Sequence, residues 1–142
     1  RPTATDEEMI KIAKIAQSYD FIDSLPDKFD SFVAQGGINF SGGQKQRLSI
    51  ARALSKDANI YLFDDSFSAL DYATDAKLRK ELKTFLKDKI TIIIAQRLNT
   101  IADAHKIIVL KDSEITGMGT HQELLESNQE YIELAKSQGI LE

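Results

Sequence analysis

Ser41-Gly42-Gly43-Gln44 stand directly ahead of Lys45-Gln46-Arg47. Two glycines at a helix start let backbone N–H groups approach an anion closely, and the helix dipole favours negative charge there. The Ser41 hydroxyl and the Gln44 amide add neutral donors, so the arrangement suits the γ-phosphate of a nucleotide. Taken alone, the same four residues read equally well as a glycine-rich helix cap.

The second group is carboxylate. Ile60-Tyr61-Leu62-Phe63 is a short apolar run that ends abruptly in Asp64-Asp65, as a strand buried on both faces would. A carboxylate at the C-terminal edge of such a strand is where α/β folds place ligands, and it is the Walker-B pattern for holding Mg²⁺. Asp65 beside it is placed to orient or deprotonate an attacking water. The plain alternative is a strand followed by an acidic turn. Ser68-Ala69-Leu70-Asp71 follows, either a loop that contacts a partner or a turn whose Asp71 caps the next helix. Gln96, in Ala95-Gln96-Arg97-Leu98, lies after the next strand and can touch a phosphate or cap a helix.

The elements that position these residues follow from spacing. Thr5-Asp6-Glu7-Glu8 is a capping-box pattern, and Met9, Ile12, Ala13 and Ala16 recur at helical spacing, which predicts a helix over 6–18. A short helix over 21–25 stops at Pro26, and 26–40 reads as a loop ending at Gly36-Gly37. A helix opens at Ser41 with Leu48, Ala51 and Leu54 on its apolar face, and another covers 72–87 with Leu78, Leu82, Phe85 and Leu86. Residues 91–95 and 106–110 are β-rich and are separated by a helix over 98–102. A hairpin around Asp112-Ser113 leads to Gly117 and Gly119, and the capping box Thr120 to Glu123 opens the first of two terminal helices. Strands alternating with helices indicate an α/β fold with a largely parallel sheet.

Bulk properties narrow the class. The chain has 142 residues, 42% hydrophobic and 28% charged, the balance of a globular protein and the length of one domain or a large piece of one. A net charge of -4 weighs against nucleic acid or an anionic membrane surface as partner. With no cysteine, disulfides and thiolate metal sites are excluded. The apolar runs 90–95 and 107–110 are far too short to span a bilayer, and nothing near Arg1 resembles a signal peptide. The chain opens on Arg1 and not on methionine, as a piece of a longer protein would.

In this order and at these spacings the features resemble the ABC ATPase family. Phe40-Ser41-Gly42-Gly43-Gln44 matches the signature loop, Asp64 Walker B, and Ser68 to Asp71 the D-loop. Gln96 falls at the switch position, where the family normally has histidine. Leu25-Pro26, Gly37, the run 47–54, Arg97-Leu98-Asn99-Thr100-Ile101 and Gly119-Thr120-His121 look like the exporter branch, and Gln35 replaces the usual glutamate of the exporter X-loop. The resemblance covers essentially the whole chain.

It implies the C-terminal portion of a P-loop NTPase domain, with a helical subdomain over about 1–55 and part of the catalytic core over about 56–142. ATP and Mg²⁺ are the implied ligands, Mg²⁺ on Asp64 through water. A second ATP-binding domain and the transporter's membrane domains are the implied partners, at the cytoplasmic face of the membrane. No Gly-x-x-x-x-Gly-Lys-Ser/Thr occurs in the chain. The family places that loop upstream, so the expectation is that this chain alone turns over essentially no ATP and exposes apolar surface, with dimerisation, swapping or local disorder to follow.

Two departures bear on mechanism. The family's general-base glutamate is Asp65 here, which retracts the carboxylate by roughly 1.5 Å, and a shift of about 1 Å can cost on the order of 10²-fold in rate. Gln96 can hydrogen-bond but cannot become cationic as histidine does. Together they imply a degenerate site in a heterodimer whose partner retains glutamate and histidine, with Ser41 to Gln44 completing the partner's site. The C-terminal lobe of a chromosome-maintenance or DNA-repair ATPase is the rival reading, disfavoured because 5–18 carry no heptad run. A non-catalytic nucleotide-sensing module is the second. Structural roles are expected for His121, an exposed position for His105, salt bridges within the domain for Arg47 and Arg52, and a solvated helix face for Lys77, Arg79, Lys80, Lys83 and Lys87.

Overall fold

Thr5 starts the first helix as its sequence predicts. Its hydroxyl accepts the Glu8 N–H at 3.2 Å while the Glu8 carboxylate accepts the Thr5 N–H at 2.9 Å, and helix α1 runs Asp6–Ile15. It ends earlier than the apolar spacing suggests. Gln17 turns left-handed (φ 54) and the Ser18 hydroxyl donates to the Ala13 carbonyl at 3.1 Å, which closes the helix. Helix α2 follows at once as Tyr19–Asp23, ahead of the expected 21–25, with Pro26 still beyond its end.

The computed structural model describes residues 2–141, and the chain divides into two compact units between Ile92 and Ile93. In the first unit the 26–40 segment contains two single turns of 3₁₀ helix, Lys28–Asp30 and Gln35–Gly37. Gly36 and Gly37 both take positive φ (68 and 62), a backbone that residues with a Cβ rarely adopt. Helix α3, Gly42–Leu54, leads to strand β1, Ile60–Asp64, then helix α4, Tyr72–Phe85, and strand β2, Ile90–Ile94. A strand–helix–strand connection is the one that parallel strands require. Strand β2 pairs with β1, and the Ile90 N–H reaches the Asn59 carbonyl at 2.9 Å.

Helix α1 packs against α2, α3 and α4, and Ala13, Ala16, Ile50, Leu54, Leu78 and Leu82 are buried. Ile50 thus joins Leu54 on the core side of α3, whereas the expected Leu48 and Ala51 are only half-buried. The β1 strand departs from expectation. Tyr61 and Phe63 are buried, but Ile60 and Leu62 stand 58% and 62% exposed, so the run alternates and is not covered on both faces. Ile90, Ile92 and Ile94 are exposed as well, in line with the apolar surface expected of this chain.

The second unit contains helix α5, Leu98–Ile101, strands β3, Ile107–Lys111, and β4, Glu114–Gly119, and helices α6, His121–Ser127, and α7, Gln129–Ser137. Strands β3 and β4 form an antiparallel hairpin, Lys111 opposite Glu114, with an irregularity between Val109 and Leu110. Asp112 and Ser113 at the turn both have positive φ (50 and 66), the geometry two-residue hairpins favour. Leu98, Ile107, Leu124, Tyr131 and Ala135 make the core of this unit. His121 has the structural role expected of it: its Nδ1 lies 2.8 Å from the hydroxyl of buried Tyr131, whose pKa burial pushes up. His105 is exposed, as expected.

Candidate nucleotide-binding site

Helix α3 begins in a reciprocal cap. The Ser41 hydroxyl accepts the Gln44 N–H at 3.2 Å, and Gln44 Oε1 accepts the Ser41 N–H at 2.8 Å. This uses acceptor oxygens only. The Ser41 O–H and the Gln44 Nε2 hydrogens remain as donors, beside the Gly42 and Gly43 N–H groups that the first turn of a helix leaves without an intrahelical partner. The helix is 13 residues long, enough for its dipole to favour an anion at this end.

The two glycines also serve packing. A Cβ on Gly43 would lie 3.0 Å from the Ala69 carbonyl oxygen, and one on Gly42 would lie 3.6 Å from the Ala69 Cβ. The start of α3 is therefore set against the 66–71 turn. Gln46 ties the same two segments together: Nε2 donates to the Asp65 carbonyl at 3.1 Å and to Ser68 Oγ at 3.0 Å, and Oε1 accepts the Ala69 N–H at 2.9 Å. The sequence names Gln46 only as part of a run. Its role depends on partners about twenty positions further along the chain, and local spacing holds no sign of them.

Asp64 ends β1 with its side chain exposed. Asp65 follows with φ 47, a left-handed conformation that Asp tolerates better than most residues, and its carboxylate accepts the Ser68 hydroxyl at 2.9 Å. Leu70 is buried and anchors the turn. Asp71 caps α4: its carboxylate accepts the Thr74 N–H at 2.9 Å and the Thr74 hydroxyl at 2.7 Å, and these two bonds hold it below the usual carboxylate range. The capping alternative for Asp71 is thus realised, and it leaves a partner contact by Ser68 and Ala69, both exposed, open.

Ser41 to Gln44, Asp64, Asp65 and Ser68 to Asp71 all lie in the first unit. Gln96 lies in the second, where its carbonyl accepts Gln138 Nε2 at 2.7 Å. Among the described residues no group of three or more His, Cys, Asp or Glu side chains is able to hold a metal ion. The exposed Asp64 and Asp65 carboxylates fit Mg²⁺ only in the way nucleotide sites use it, with one or two carboxylates completed by phosphate and water oxygens.

The ABC transporter family model matches residues 2–68, the stretch that contains the α3 cap and the Asp64-Asp65 strand end. A Staphylococcus aureus protein (strain bovine RF122 / ET3-1) named for multidrug export as an ATP-binding/permease protein is 43% identical over 140 residues, 99% of this chain. The like-named protein of Staphylococcus aureus strain NCTC 8325 / PS 47 is also 43% identical over 99% of the chain. A solved structure of a bacterial Atm1-family ABC exporter with ATP bound superposes with a TM-score of 0.94 over 98% of the chain at 39% identity. The chain belongs to the ABC transporter family. It resembles part of an exporter's ATP-binding domain and spans about a quarter (24%) of the length of each of these relatives.

Two basic residues of this ABC segment depart from their expected roles. Among the described residues Arg47 makes no salt bridge: it donates to the Gly43 carbonyl at 3.3 Å and the Gln17 carbonyl at 2.8 Å, and lies over the Phe21 ring. It braces α3 against Gln17, just past α1, and against Phe21 of α2 through neutral partners. Arg79 is not simply solvated, since it pairs with buried Asp75 one turn earlier at 3.1 Å. The second residue that local sequence hides is Gln138, whose Oε1 accepts the Leu98 N–H at 2.9 Å while Nε2 holds the Gln96 carbonyl. Among the described residues no helix is long and apolar enough to cross a membrane.

Proposed function

We propose that this chain is the signature-bearing part of an ATP-binding domain in an ABC exporter, coupling ATP binding and hydrolysis to transport through membrane domains elsewhere in the assembly. The observation that carries it is the start of α3, where the reciprocal cap leaves the Ser41 hydroxyl, the Gln44 amide and two glycine N–H groups as donors at the positive end of a long helix. In this reading Ser41 to Gln44 bind the γ-phosphate of ATP held by a second ATP-binding domain, and Ser68 to Asp71 face that domain. Residues 1–55 act as the helical subdomain and 56–142 as part of the catalytic core, placed at the cytoplasmic face of the membrane.

Asp64, and Asp65 beside it, serve this chain's own ATP. Asp64 is the residue that would hold Mg²⁺, through water, and the ion would supply charge neutralisation on the phosphates. Asp65 orients the attacking water and accepts its proton, and Gln96 donates a hydrogen bond to the transferred phosphoryl group. Asp65 is short by a methylene, and Gln96 carries no charge, so this site is slow. A heterodimer with one competent partner site accounts for an intact signature beside a weakened base. The expected test is ATP turnover by the full-length protein, alone and with its candidate partner subunit. Slow turnover alone that rises on mixing, and is lost in Ser41→Ala, supports the reading; fast turnover by the protein alone sinks the asymmetric dimer.

A further inference from the structure

Gln46 touches the turn that contains Asp65 with every hydrogen of its carboxamide. Nε2 donates to the Asp65 carbonyl at 3.1 Å and Ser68 Oγ at 3.0 Å, and Oε1 accepts the Ala69 N–H at 2.9 Å. The orientation of the amide is settled by these partners. A flipped amide would set its oxygen against the Asp65 carbonyl and its nitrogen against the Ala69 N–H. Ser68 Oγ accepts a hydrogen bond from Gln46 Nε2, and its own hydroxyl faces two acceptors on Asp65, the carboxylate Oδ2 at 2.9 Å and, longer, the carbonyl at 3.1 Å. A directional chain therefore runs from Gln46 through the Ser68 hydroxyl to the Asp65 carboxylate, and such chains polarise one another.

Gln46 lies one helical turn beyond Gly42 and Gly43, and both glycines are packed on Ala69, the residue whose N–H it binds. We propose that Gln46 is a positioning residue that locks the Asp65 carboxylate and the 66–71 turn to the phosphate-facing start of α3. The two edges that this chain turns toward nucleotide then move as one body. The inference rests on the proposed roles of Asp65 and of Ser41 to Gln44. It differs from them because the Gln46 carboxamide is engaged by the 65–69 turn and acts through Asp65.

The test uses the full-length protein and two readouts. Hydrogen-exchange mass spectrometry follows the peptide containing Ala69, and ATP hydrolysis is measured as kcat and KM separately. In Gln46→Ala, Ala69 exchange is expected to rise about fivefold, because a lost hydrogen bond of ordinary strength opens the turn by that factor. The kcat is expected to fall about tenfold with KM for ATP changed less than twofold, the pattern of a misplaced group and not of lost binding. Ser68→Ala should reproduce the kcat loss, and the double variant should lose no more than either single one, since both interrupt one chain. Unchanged Ala69 exchange overturns the inference whatever the activity. Accelerated exchange with unchanged kcat, or additive losses, overturns it as well. A wild-type protein without turnover would instead remove the proposed function, and the exchange arm would still decide whether Gln46 holds the turn.

Discussion

Gln138 and Gln96 are bound across 42 positions of sequence, the Gln138 carboxamide donating to the Gln96 carbonyl at 2.7 Å. The same side chain accepts the Leu98 N–H at 2.9 Å, so one residue just past the end of α7 clamps both sides of the segment between β2 and α5. Replacing it leaves the segment without its clamp. In Gln138→Ala the Leu98 N–H is expected to exchange about fivefold faster, while the buried packing of Leu98 keeps the unit folded. Exchange mass spectrometry of the 96–100 peptide reads this directly.

On the proposed function, exchanging Asp65 and Gln96 for glutamate and histidine should raise the rate. Asp65→Glu with Gln96→His in the full-length protein is expected to raise ATP turnover on the order of 10²-fold. The measurement is steady-state phosphate release; an unchanged rate would mean that Asp65 and Gln96 do not limit turnover.

Acidification should weaken the α4 cap. The Asp71 carboxylate is held below its usual range by the Thr74 N–H and hydroxyl. Its stabilising contribution is thus complete above the unfolded carboxylate pKa of about 4 and is lost as pH falls through the lower folded value. The lowered Glu123 carboxylate of the α6 capping box acts in the same sense. Asp71→Asn keeps a cap acceptor and removes the titration. Denaturant midpoints of the two forms are therefore expected to differ at neutral pH and to converge once the pH has fallen through the lowered folded value.

Gly117 is a packing position. A Cβ there would run into the Asn128 carboxamide, which donates to the Thr116 carbonyl at 3.0 Å and accepts the Tyr131 N–H at 2.8 Å. Gly117→Ala must displace a buried, doubly bonded side chain and is expected to cost about 1–3 kcal/mol, read as a lower urea midpoint.

Core truncation marks the other unit. Leu54 is buried at the end of α3, and Leu54→Ala is expected to cost about 2–5 kcal/mol. The loss should appear in urea unfolding with an unchanged slope.

Much of this was legible along the chain because its physics is local. Thr5, Ser41 and Thr120 each meet their partner three residues later; the capping boxes at Thr5 and Thr120 are legible as patterns, the start at Ser41 only as a glycine-rich cap, and all three are present as bonded pairs. The hairpin turn at Asp112-Ser113 and the apolar face of α4 follow from equally short periods, as does that of α1 except that Met9, expected on it, is exposed and Ile15 is buried instead. The early end of α1 was not legible, since it depends on Ser18 reaching back to Ala13 through a left-handed Gln17. Nor was the half-exposed β1. Its apolar run fits coverage on one face or two, and only the surrounding packing distinguishes them.

The proposed ligand-facing residues, Ser41 to Gln44, the paired Asp64 and Asp65, and Gln96, stood out as candidates by type and order, because phosphate and metal chemistry demands donors and carboxylates at element ends. What holds them became visible only in three dimensions. Gln46 binds Ala69 from 23 positions away, Gln138 binds Gln96 from 42, and Arg47 reaches Gln17 from 30. A glutamine or arginine on an exposed helix turn has the same local pattern whether or not such a partner exists. The packing of distant segments brings the partner within 3 Å or leaves the side chain in water, and no local periodicity encodes that outcome.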